Sequence, residues 1–230
     1  MLQLNNRRPR VAALAVLILL AAAPAYAEIT VEVVPPDRWG ESDAALGLDG
    51  GIVEDFENTV LAPGLLLEIA DASGNFTGVG SNSLPNTFDP VVGDPFGDSF
   101  VTGVWDGSAV LVNTVDNQSQ YYGSTDWRPF MFTVPAGTAW FALASQQVSI
   151  GHGLIVNGQS VGRLGTLGYP IGPERNGMLI IRSDDPLQPI VSVSFGGRGD
   201  AFVLDHVVFA PPGAVAVEAG TWGTLKALYR

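Results

Sequence analysis

The sequence predicts an all-β fold, two antiparallel sheets packed as a jelly-roll-like sandwich, and three observations carry that expectation. Glycine (28) and proline (16) are abundant in the 230 residues, and the hydrophobic runs are short and spaced by turn-formers. Period-two alternation recurs: in PIVSVSF, Val191, Val193 and Phe195 share one face and Ser192 and Ser194 the other, and in RPFMFTV so do Phe130, Phe132 and Val134. No amphipathic helical pattern separates the strand-like runs, which argues for packed sheets.

Residues 1–27 read as a secretory signal peptide. Arg7, Arg8 and Arg10 precede an apolar run from Val11 to Ala23, and Ala25-Tyr26-Ala27 is a small-x-small end with cleavage expected after Ala27. The apolar run is short for a bilayer span and no second one follows, so the mature chain is expected without a transmembrane anchor, secreted or at the cell surface. Residues 28–50 hold a lead-in strand, ITVEVV, and a polar linker, PPDRWGESD. Residues 51–210 form the sandwich, and 211–230 a flexible connection, APPGAVAVEAG, followed by a short amphipathic tail, TWGTLKALYR.

Within the sandwich the expected strands are Ile52–Glu57, Leu65–Ala70, Ser99–Trp105, Ala109–Val115, Arg128–Val134, Thr138–Ser145, Gly153–Asn157, Met178–Arg182, Pro189–Phe195 and Ala201–Phe209. Turn chemistry separates them: Trp105-Asp106-Gly107-Ser108, Pro135-Ala136-Gly137, Asn157-Gly158 and Asp184-Asp185-Pro186. Trp105 and Trp140 fall in strands and are expected in the core.

Charge and composition exclude several classes. A formal net charge of −12 repels phosphate backbones and argues against a nucleic-acid partner, while leaving carboxylates free for divalent cations. The chain has no Cys, which removes thiol catalysis and Cys-ligated metal, and only two His, His152 and His206, which removes a histidine-rich site. A mature chain of ~200 residues is long enough to bury one core without disulfides.

Gly158-Gln159-Ser160-Val161-Gly162 matches the G-x-S-x-G pattern of a serine-hydrolase nucleophile elbow. That elbow needs a helix behind the serine, and RLGTLGYPIGPERNG cannot supply one. Asn157-Gly158 is instead a hairpin signal that puts Ser160 on the returning strand. His152, between two glycines, reads as a turn histidine and His206 as a packed strand residue. Arg198-Gly199-Asp200 reads as a tight turn, and Asn75-Phe76-Thr77 and Asn117-Gln118-Ser119 fit the glycosylation sequon. The acids Glu54, Asp55, Glu57, Glu68, Asp94, Asp98 and Asp126 are the pool from which a glycosidase pair would come, and none sits in a recognisable local pattern.

Asp205 is the most informative acid. In GDAFVLDHVVFAP it alternates with Val203, Val207 and Phe209, so a carboxylate falls among apolar neighbours and needs an arginine, backbone N–H groups or a cation. A structural Ca²⁺ shared with Glu54, Asp55 and Glu57 would tie the first core strand to the last. The second feature is aromatic. Tyr121, Tyr122 and Trp127 lie in the polar loop DNQSQYYGSTDWRP beside Asn117 and Asp126, and flat rings next to amides and carboxylates are what a sugar-binding surface requires.

DAFVLDHVVFAP, preceded by PIVSVSFGG and opened upstream by VEDFEN, resembles a broad group of secreted bacterial β-sandwich domains, many of them carbohydrate-binding-module-like or galactose-binding-like jelly rolls. The resemblance spans roughly Gly51 to Phe209. It implies a structural Ca²⁺ held by acids of the first and last strands, here Glu54, Asp55 or Glu57 with Asp205; this chain has His206 where that pattern has Asn or Asp. The expected function is a secreted, non-catalytic module binding glycan or an envelope or matrix component. A structural surface protein with no small ligand is the alternative, and a carboxylate or serine hydrolase the third.

Overall fold

The computed structural model describes residues 29–58, 60–83, 88–90, 105, 109–112, 128–146, 148–172, 176–197 and 202–211. Among them twelve strands form: β1 (Ile29–Val34), β2 (Ile52–Glu54), β3 (Leu66–Ile69), β4 (Phe88–Pro90), β5 (Ala109–Val112), β6 (Phe130–Thr138), β7 (Trp140–Gln146), β8 (Gly153–Val156), β9 (Gln159–Arg163), β10 (Asn176–Ser183), β11 (Ile190–Gly196) and β12 (Val203–Phe209). They make two sheets. The larger runs β1-β10-β7-β12-β5-β4 with β2 also paired to β12, and the smaller runs β3-β6-β11-β8-β9. All these pairings are antiparallel, so the all-β, two-sheet expectation holds. No helix among the described residues is long and apolar enough to cross a membrane.

The main core lies between the sheets. Phe130, Phe132 and Val134 of β6 and Val193 and Phe195 of β11 point into it, as their alternation requires, and meet Phe141 and Leu143 of β7, Leu179 and Ile181 of β10 and Val207 and Phe209 of β12. Fully burying each such side chain stabilises by about 1.5–3 kcal/mol relative to exposure.

A second apolar layer coats the other face of the larger sheet. It contains Val34, Leu46, Leu48, Trp140, Ala142, Ala144, Met178, Ile180 and Val208. This explains why WFALA and MLII are apolar without alternation: the strands in the middle of the larger sheet are covered on both faces. The cover comes from the lead-in. ITVEVV forms β1 at the sheet edge, in register with β10 from Ile29↔Ser183 to Val34↔Met178. The polar stretch after it starts with a 3₁₀ turn, Pro36–Arg38, and crosses to β2 on the far side of β12, burying Leu46 and Leu48 on the way.

Three local differences from the expected strands have physical causes. β2 stops at Glu54 because Phe56 takes a left-handed conformation (φ 58°) and turns the chain. Pro135-Ala136-Gly137 does not end β6. The strand bulges there, Thr133 pairing Ser192 and Thr138 pairing Ile190, before Ala139 carries the chain to the other sheet. Trp105 lies outside any strand and is half-buried against the second layer, whereas Trp140 opens β7 as a buried residue. The rest of Ser99–Trp105, like residues 1–28 and 212–230, lies outside the described residues.

Candidate functional site

β12 departs from simple alternation in its middle, and that departure builds a buried polar cluster. Leu204 pairs with Ser145 and Val207 with Leu143, so Asp205 and His206 together oppose the single residue Ala144. Such a bulge shifts the phase of a strand. Leu204, Val207 and Phe209 therefore all reach the inter-sheet core, and Asp205 does not simply share the face of Val203, Val207 and Phe209 that its spacing indicated.

Asp205 is completely buried and accepts a hydrogen bond from the backbone N–H of Trp105 through Oδ2. His206, also buried, stacks on the Trp105 ring with centroids 5.7 Å apart and planes 18° apart, and its Nε2 lies 2.9 Å from Asp43 Oδ1. Trp39 meets Trp105 edge-on at 4.9 Å. The cover is thus fixed to the bulge by an aromatic stack and a polar contact, and Arg182 adds a third anchor by donating from Nη2 to the Leu46 carbonyl at 3.4 Å. Nothing in PPDRWGESD singles out Trp39 or Asp43 as a site residue, because the partner of Asp43 lies 163 residues away.

The acids of the first core strand are adjacent to the last, as a strand-linking site would require: β2 pairs with β12, Glu54 opposite Val207. Their carboxylates hold backbone. Glu54 accepts from the Phe56 N–H at 2.7 Å through Oε1 and from the Ala62 N–H at 2.5 Å through Oε2, clamping the turn after β2. Asp55 accepts from the Glu57 N–H at 3.1 Å, and Glu57 is exposed. Among the described residues no group of three or more His, Asp or Glu is placed to hold a metal ion. Ca²⁺ takes six to eight oxygens, so Glu54 and Asp205 would have to share their lone pairs between the cation and these N–H groups.

Glu68 repeats the pattern on the smaller sheet. It accepts from the Thr77 N–H, from Thr77 Oγ1 at 2.6 Å and from the Gly78 N–H at 2.9 Å, folding residues 70–78 back onto β3. In that connection the exposed Asp71 accepts from the N–H groups of Asn75 and Ser73, each at 2.8 Å, and those bonds hold its carboxyl below the usual carboxylate range. Asn75 of the first sequon is exposed.

Ser160 lies where the hairpin reading put it. Asn157 (φ 51°) and Gly158 (φ 75°) form the turn between β8 and β9, and Ser160 is exposed on β9 opposite Ile155. His152 is buried, with its ring 5.2 Å from that of Phe202. Tyr169 is a buried hydroxyl hub that alternation does not mark. Its Oη donates to the Gly177 carbonyl at 2.6 Å and lies 2.5 Å from Ser145 Oγ, and burial raises its pKa far above the ordinary tyrosine value.

Tyr121, Tyr122, Trp127, Asn117 and Asp126, the expected ligand-binding residues, lie outside the described residues, as do Asp94, Asp98 and Arg198-Gly199-Asp200. The strand ends on either side of that loop are described. β5 ends at Val112, paired with Val203 at the start of β12, and β6 begins at Phe130, paired with Phe195 at the end of β11 and Ile69 at the end of β3. The connections from β7 to β8 and from β11 to β12 join the sheets at the same end. The base of the loop is fixed there: Arg128 Nη1 donates to the Ala70 carbonyl at 3.2 Å, and the Ala70 N–H donates to the Pro129 carbonyl at 3.1 Å.

No protein-family model matches this chain, and comparison with curated proteins and with solved structures finds no match.

Proposed function

We propose that this chain is a secreted, non-catalytic β-sandwich module that binds extracellular glycan or another cell-envelope component through the loop between β5 and β6. The observation that carries the reading is the way that loop is mounted. Residues 113–127, with Tyr121, Tyr122 and Trp127 among Asn117 and Asp126, connect strand ends that are built into different sheets and tied down by Arg128 and Ala70. Recognition loops work from such rigid ends, because a fixed base lowers the ordering cost of binding. Aromatic faces would stack on pyranose C–H surfaces, with the amide and carboxylate side chains taking the hydroxyls.

A ligand that binds the folded state raises the melting temperature in step with the logarithm of its concentration above Kd. The test is a thermal-shift series of the protein from Glu28 onward against soluble oligosaccharides and envelope polysaccharides. A concentration-dependent rise with one class supports the reading, and flat curves across the panel count against it. Structural Ca²⁺ at Glu54 and Asp205 belongs to the same proposal. It requires a rise in melting temperature with Ca²⁺ that EDTA reverses and Asp205→Ala abolishes.

The alternative is a structural surface protein with no small ligand. It is favoured by the use of Glu54, Glu68 and Asp205 as internal acceptors for backbone N–H groups, which is how a scaffold without disulfides fixes its connections.

A further inference from the structure

The geometry points to Asn157 as a site of spontaneous deamidation whose conversion releases the turn of the β8–β9 hairpin from Pro189 and the start of β11. The chain has two Asn-Gly pairs, Asn157-Gly158 and Asn176-Gly177, and the fold treats them differently. Asn157 and Gly158 are both exposed at the tip of the hairpin, and the space where a Gly158 side chain would lie is open. Asn176 is buried at the start of β10. Gly177 is paired with Ser145, its carbonyl accepts from Tyr169, and a Cβ added there would come within 3.1 Å of Pro170 Cδ and 3.2 Å of the Val34 oxygen.

The reaction needs only water. The backbone nitrogen of Gly158 loses its proton and bonds to Cγ of Asn157. The Cγ–Nδ2 bond breaks, and ammonia leaves with that proton. The resulting five-membered imide is then opened by water at either carbonyl, giving aspartate or isoaspartate. The attack requires the Asn157 side chain to swing toward the following amide, and that side chain is held elsewhere. Its Nδ2 donates to the Pro189 carbonyl at 3.0 Å, and its Oδ1 accepts from the N–H groups of Val191 (2.8 Å) and Ser192 (3.2 Å). The Asn157 N–H also donates to the Ser192 carbonyl at 2.9 Å. Local opening of this exposed clasp therefore sets the rate, whereas Asn176 must wait for β10 to leave the sheet.

Either product loosens the clasp. The aspartate form replaces the donor facing the Pro189 carbonyl by a carboxylate oxygen. Isoaspartate lengthens the backbone inside a two-residue turn whose positive φ values at both residues already fit little else. β9 is the outer strand of the smaller sheet and, among the described strands, pairs with β8 alone, so the loss falls on an edge.

The test is to age the folded full chain in mildly alkaline buffer at physiological temperature and to map the gain of one mass unit and isoaspartate by peptide mass spectrometry, with a urea-unfolded sample alongside. Conversion at Asn157 that is slower than in urea but about tenfold or more faster than at Asn176 is expected. Equal rates at the two sites in the folded protein, or no conversion at Asn157 while the unfolded chain converts, would overturn the assignment. Asn157→Asp is the matching variant. Faster amide exchange confined to 153–163 and 189–192 is expected, and exchange identical to that of the parent would overturn the clasp.

Discussion

His206 and Asp43, 163 residues apart in sequence, meet at 2.9 Å between the bulge of the last strand and the segment that covers the larger sheet. The contact joins the chain before the first core strand to the chain at its last, with the Trp105 ring stacked on the imidazole. Asp43→Ala is expected to destabilise by about 1–2 kcal/mol and His206→Ala by about 2 kcal/mol. The double variant should fall short of the sum, since both remove the same bond. Denaturant unfolding of the four proteins measures the coupling. Hydrogen exchange should show residues 35–50 of Asp43→Ala opening well before β7 and β10.

Gly51 sits where the cover reaches β2, and a Cβ built there would lie 2.4 Å from Val208 Cγ1 and 2.5 Å from Trp140 Cη2. No flexible tip is available to yield, because both partners are packed in the second apolar layer. Gly51→Ala is expected to cost about 1–3 kcal/mol by overpacking, read as a lower melting temperature. A neutral result would show that the cover is not seated against Trp140.

Glu54 commits both carboxylate oxygens to the N–H groups of Phe56 and Ala62. Glu54→Gln turns one of those acceptors into a donor facing a donor. The expected loss is about 1–3 kcal/mol, with the turn that holds Phe56 in its left-handed conformation loosened first. Chemical denaturation combined with amide exchange at 55–62 checks both parts.

Tyr169 carries a prediction about pH. Its pKa is raised in the fold by burial, so between the unfolded value of about 10 and the folded one the native state holds a proton that the unfolded chain has released. Stability is therefore complete below the ordinary tyrosine range and falls as pH rises through it. Tyr169→Phe should lose about 1–2 kcal/mol near neutrality, for the missing bonds to Gly177 and Ser145, and show a shallower alkaline decline. Ultraviolet titration of the parent should find one tyrosine that ionises only on unfolding.

The alternation of RPFMFTV and PIVSVSF is local information: Phe130, Phe132 and Val134 follow it into the core, and so do Val193 and Phe195, but Val191, expected on their face, is exposed because the register shifts between Ile190 and Ser192. The Asn157-Gly158 turn is equally local and displaces the hydrolase motif around Ser160. The bulge at Asp205 and His206 is not legible, because period two is broken by one residue and nothing in FVLDHVVF marks where. The role of the lead-in as a cover is hidden for another reason: PPDRWGESD is polar, and the residues it buries, Leu46 and Leu48, come after it. Long-range partners such as Asp43 and Trp39 have no sequence signature at all. The aromatic loop is legible only as composition.

Whether that loop binds glycan is decided by retention of the protein on insoluble polysaccharides and cell-envelope preparations, compared with Trp127→Ala and Tyr122→Ala, with the melting temperature of each variant recorded. Glycan binding through the loop requires that the parent is retained on one glycan class and that both variants lose retention while melting as the parent does. Variants that melt lower yet bind as before would refute it by making those rings part of the fold and not of the binding surface. So would a parent that is retained on nothing.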